Sequence, residues 1–109
     1  MSTRHIGIIG ASPEGASIFF RQVARHAARL LPPQKHPVIS LHNERLADYI
    51  EAIHHSDWIS VGQLLSRSAE VLARAGAAFC VTPDQVVIHA LSLAQAQSPI
   101  PLVNPASLV

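Results

Sequence analysis

Four short apolar runs, separated by longer amphipathic stretches, constrain this chain more than any other feature. Ile6-Gly7-Ile8-Ile9 comes first, Val38-Ile39-Ser40-Leu41-His42 second, Ala77-Ala78-Phe79-Cys80-Val81 third and Ile100-Pro101-Leu102-Val103 fourth. The runs are too short for helices, and the first is apolar at successive positions, as strands buried on both faces are. The intervals carry helical signals. Ser12 is placed to cap a helix, Pro13 suits its first position, and Glu14 complements the dipole. Phe20, Val23, Ala27 and Leu30 or Leu31 follow on one face, with Arg21, Arg25 and Arg29 on another, until Pro32-Pro33 ends the helix. Leu46, Tyr49, Ile50 and Ile53 predict a short amphipathic helix. Ser56 or Asp57 then caps a longer one, Trp58 to about Ala75, which turns Val61, Leu65, Leu72 and Ala75 inward and ends at a left-handed Gly76. Pro83-Asp84 opens a last helix to about Gln97, and Ser98-Pro99 breaks it. Strands alternating with helices predict an α/β fold: a four-stranded parallel sheet flanked by helices, built from right-handed βαβ units.

At 109 residues the chain is expected to be one flavodoxin-like domain spanning 1–109. With 49% apolar and 14% charged residues it can bury a single core, and its composition excludes intrinsic disorder. Eight basic residues against seven acidic ones give a net charge of +1, which argues for neither nucleic acid nor an anionic membrane as partner. No apolar run approaches the roughly 18 residues of a membrane span. Met1 to His5 leads straight into the first strand without a signal-peptide pattern. Cys80 is the single cysteine and cannot form an internal disulfide, so the expected compartment is the reducing cytoplasm. A chain this small and apolar is also expected to be half of a larger object, completed by a second copy or a second lobe.

Ligands of open parallel sheets bind beyond the carboxyl ends of the strands. That rule nominates Gly10 and Ser12 after the first strand, Asn43 after the second, and Thr82, Asp84 and Gln85 after the third. Free backbone N–H groups at the first turn suit a carboxylate or phosphate. Gly7, Gly10 and Gly15 do not have dinucleotide-fingerprint spacing, and no Walker lysine is present. The seven histidines are scattered: His54 and His55 would point about 100° apart on a helix, and His5, His26 and His36 read as surface positions, so no metal site is expected. Cys80, inside a strand, reads as a small hydrophobe. Asp84 reads first as a helix cap, and as an acid or base only if burial or a paired charge raises its pKa.

Ile6-Gly7-Ile8-Ile9-Gly10, then Ser12, Glu14 and Phe19-Phe20, resemble the opening of the aspartate/glutamate racemase family. Leu46-Ala47-Asp48-Tyr49, Ser56-Asp57-Trp58 and Leu72-Ala73-Arg74-Ala75-Gly76-Ala77-Ala78-Phe79 continue the resemblance, and Pro83-Asp84, Ala90-Leu91 and Ile100-Pro101-Leu102 carry it to the end of a first lobe. The resemblance implies a cofactor-independent isomerase of two similar lobes, exchanging the Cα proton of an acidic amino acid or related carboxylate between two cysteines, one per lobe. One group removes the proton and the other returns it from the far side. Aligned on Pro83-Asp84, the first cysteine position falls on Thr82, the family's Asn-Thr pair becomes Gln85-Val86, and His89 sits one residue late. Cys80 lies two residues too early. A threonine hydroxyl cannot serve as a thiolate does near neutral pH. Two functions follow: a diverged or truncated racemase-like isomerase, with Gly10, Ser12, Asn43 and Gln85 holding carboxylate and Thr82 and Asp84 at the reacting centre, or a non-catalytic carboxylate-binding or interaction domain on the same scaffold.

Overall fold

The computed structural model describes residues 4–84 and 86–103. Its sheet contains β1 (Ile6–Gly10), β2 (Ile39–Asn43), β3 (Phe79–Val81) and β4 (Leu102–Val103), all parallel, in the order β2-β1-β3-β4. The helices are α1 (Pro13–Leu30), α2 (Leu46–His54), α3 (Trp58–Arg74) and α4 (Leu91–Gln95), with 3-10 turns at Pro33–Lys35 and Val86–Ala90. The α/β sheet expected from the sequence is present. Strands β3 and β4 are shorter than the apolar runs that announce them.

Period-two alternation assigns the two faces of β1. A Cβ on Gly7 would meet Leu72 of α3, whereas one on Gly10 would meet Ala16 of α1, so the helices lie on opposite faces. Ile9, on the α3 face, joins Val61, Leu65, Leu72, Cys80, Val87 and Ala94 in the main core. Ile8 is fully buried on the other face.

That second face is thinly covered. Helix α1 packs on β1 and β2, and Ala16 is its one buried residue. Phe20, Val23 and Ala27 are half-buried as the spacing predicts, but Leu30 is 73% exposed. Eighteen helical residues run about 27 Å and a five-residue strand about 17 Å, so the last turns overhang the sheet.

The predicted caps form. Ser12 Oγ accepts from Gly15 N, and Asp57 Oδ1 accepts from Ser60 N at 3.1 Å. Hydrogen bonds from the Ser60 hydroxyl and backbone hold the Asp57 carboxyl below its usual range. At the end of α3, Gly76 takes φ +104, Ala77 N donates to Leu72 O, and Gly76 N donates to Ala73 O. These two bonds form a Schellman stop. The continuous helix expected from Pro83 to Gln97 is instead the 3-10 turn Val86–Ala90 followed by the five residues of α4. Val86-Val87-Ile88 is β-branched throughout, which disfavours an α-helical start, and Ala90 at φ -99, ψ 3 separates the two pieces.

Two substitutions test this account in urea unfolding. Gly76→Ala should cost about 1–2 kcal/mol, because a Cβ is strained at positive φ. Leu65→Ala, at a fully buried position, should cost about 2–5 kcal/mol through the cavity it leaves.

Candidate functional site

The carboxyl ends of β1 and β2 are tied together by one side chain. Asn43, the last residue of β2, donates from Nδ2 to Ala11 O (3.3 Å) and Glu44 O (2.7 Å). Both partners are carbonyl acceptors, which fixes the amide orientation and leaves Oδ1 as the free end. Asn43 Oδ1 is buried and has no hydrogen-bond partner among the described residues. A Cβ on Gly10 would lie 2.0 Å from that oxygen and 2.8 Å from Ala16 Cβ. Glycine is therefore the residue that lets Asn43 fold over the end of β1. Ser12 stands beside this turn, with its oxygen engaged in capping α1.

Helix α2 forms the neighbouring wall. Its apolar stripe brings Leu46, Tyr49, Ile50 and Ile53 against Ala11, and with His54 and Asp84 they line a cleft of about 370 Å³. Tyr49 is 1% exposed, and its hydroxyl has no partner among the described residues. Burial holds the Tyr49 phenol neutral far above the ordinary tyrosine range. The carboxylates of Glu44 and Asp84 push in the same direction, and Arg67 opposes them. Arg67 is itself engaged, with its Nε 3.6 Å from Glu44 Oε1. Thr82 follows the end of β3 at the same edge of the sheet. It is as deeply buried as Tyr49, and its Oγ1 is likewise unpartnered.

The sheet thus brings Gly10, Ser12, Asn43, Thr82 and Asp84 to its carboxyl edge. Gln85 lies outside the described residues. Sequence reasoning placed Tyr49 only in an apolar stripe and missed it as a site residue. The available signal was that Tyr49 is the one member of that stripe with a polar tip, and a buried phenol ordinarily finds a partner.

The edge supplies two neutral hydroxyl donors, an amide acceptor and a carboxylate. Cys80 does not join them: it packs in the main core two residues back along β3 from Thr82, and burial pushes its thiol up to about 12. His26 and His36 are exposed as expected, whereas His5 is half-buried and its Nε2 lies 2.7 Å from Ser40 Oγ. His5 directly precedes β1, so the strand carries it against β2 rather than into solvent. Among the described residues no three His, Cys, Asp or Glu side chains are grouped to hold a metal ion. No helix of the described residues is long and apolar enough to cross a membrane.

No family model matches the chain, and no curated protein is significantly similar to it. Solved structures are similar. A candidate Asp/Glu racemase from Yersinia pestis superposes with a TM-score of 0.85 at 25% identity, covering 96% of this chain and 46% of that one. An aspartate racemase homologue from Pyrococcus horikoshii superposes with a TM-score of 0.82 at 18% identity, covering 94% of this chain and 45% of that one. The chain spans a little under half the length of each, consistent with a single lobe. The racemase resemblance noted in the sequence is borne out by these structures.

Two measurements test the geometry. A disulfide reagent should modify Cys80 far more slowly in the native protein than in denaturant, and equal rates would contradict its burial. The raised thiol pKa adds stability that is complete below about 9, the value of an unfolded thiol, and is lost as pH rises towards about 12. A Cys80→Ala variant should therefore lose less stability than the parent across that window.

Proposed function

We propose that this chain binds a small carboxylate of the amino-acid type at the carboxyl edge of its sheet, as one half of a racemase-type site. The observation that carries this reading is the set of buried, unpartnered polar atoms there, Asn43 Oδ1, Tyr49 OH and Thr82 Oγ1. Buried polar groups are rarely left unsatisfied, and a ligand at the strand ends, where Tyr49 also lines the α2 cleft, can complete them. Two hydroxyls can donate to a carboxylate. The amide oxygen and the Asp84 carboxylate can accept from an ammonium group.

Cα proton exchange on an acidic amino acid, the activity of a racemase-like isomerase, is the second reading. Its support is the similarity to Asp/Glu racemase structures. Stereoinversion needs a base and an acid on opposite faces of Cα. This chain contributes a threonine at the first position and a cysteine held protonated in the main core, two residues back along the same face of β3. Exchange would therefore require groups from a partner, either a second lobe or a second copy in a homodimer. The half-exposed Leu46 and Ile50 at the mouth of the cleft offer such a partner an apolar contact.

NMR titration with α-amino acids tests binding. A Kd on the order of 1 mM is expected for ligands this small, with shifts centred on Asn43, Tyr49 and Thr82. The absence of shifts at saturating millimolar ligand would remove the reading. Deuterium incorporation at Cα of L- and D-aspartate and glutamate tests exchange, and no incorporation above background is expected of the chain alone. Exchange by the chain alone would instead establish the isomerase.

A further inference from the structure

The proposed carboxylate site shares Tyr49 and Asp84 with the α2 cleft, whose wall has its own chemistry. Ala11, Leu46, Ile50, Ile53 and the ring of Tyr49 supply its surface. Of the described residues that line it none is Lys or Arg, the side chains that ordinarily hold a second carboxylate. The charged group in the lining is Asp84, and Glu44 acts on Tyr49 from nearby with the same sign. Of the nearby cations, Arg67 is engaged with Glu44 and Arg45 with Asp48. His54 stands at the rim.

We infer that this cleft selects a monocarboxylate bearing an apolar side chain and discriminates against aspartate and glutamate. The inference rests on the carboxylate-binding reading and narrows its substrate class. A carboxylate placed in the cleft would lose its water against alkyl walls, with no Lys or Arg among the described lining residues to receive it. An aliphatic side chain removes the same walls from water at no electrostatic cost. Each methylene that fits an apolar pocket is worth about tenfold or more in discrimination. At about 370 Å³ the cleft has volume enough for a side chain of leucine or methionine size, since pockets for whole small molecules begin at about 300 Å³.

The test is a calorimetric or NMR binding panel on the chain as it stands: L-leucine, L-methionine and L-norvaline against L-aspartate and L-glutamate. The apolar amino acids should bind at least about tenfold more tightly. Ile50→Arg places a cation at the rim, and Ile50 is 57% exposed, so the fold should tolerate the change. This variant should weaken leucine and strengthen aspartate. Aspartate binding as tightly as leucine would overturn the inference and leave carboxylate binding intact. Binding of both classes unaffected by Ile50→Arg would also overturn it, because the side chain would then lie elsewhere. Failure of every amino acid to bind, with the protein folded, would remove the carboxylate site itself.

Discussion

Burial of β1 on both faces is the constraint on which the rest of this structure depends. The strand lies between β2 and β3, so its backbone groups are spent on two neighbours and its side chains on two layers. Ile9 is sealed beneath α3 and Ile8 on the side of α1. With the strand held in this way, the turn that follows it has little freedom. Gly10 must leave room on one side for both Asn43 and Ala16, and Ser12 must start α1. The candidate site is therefore a consequence of where the central strand stops.

The two layers are unequal. The α3 face carries α3, α4 and the 3-10 turn over a continuous apolar core, whereas the other face rests on α1. A parallel sheet ordinarily has both faces covered. The half-covered face, the overhanging end of α1 and the apolar lip of α2 leave more hydrocarbon in solvent than the main core would suggest.

Chemistry separates from scaffold at β3. The strand keeps the register that delivers its end to the site, pairing with β1 and β4. Its cysteine nevertheless points into the main core, where low polarity keeps the thiol protonated, and the residue delivered to the edge is Thr82. A neutral hydroxyl can hold a ligand and cannot abstract a weakly acidic proton near neutral pH.

Much of the fold was legible in the residues because its signals are local. Apolar runs of strand length, Ser12 and Asp57 at helix starts, Gly76 at a helix end and Pro32-Pro33 as a stop each act within a few positions. The break between Val86–Ala90 and α4 was also local in origin, but the β-branched run was outweighed by the helix signals around it. The carboxyl-edge loops followed from the topological rule, which located Gly10, Asn43 and Thr82. The sequence by itself thus determined most of the elements, their parallel arrangement and which loops gather at the carboxyl edge of the sheet. Only the tertiary structure decided which polar atoms remain unsatisfied there and that Tyr49 is among them. Satisfaction and burial are set by neighbours distant along the chain, such as Ala11, whose carbonyl accepts from the Asn43 amide, and no local pattern encodes those meetings.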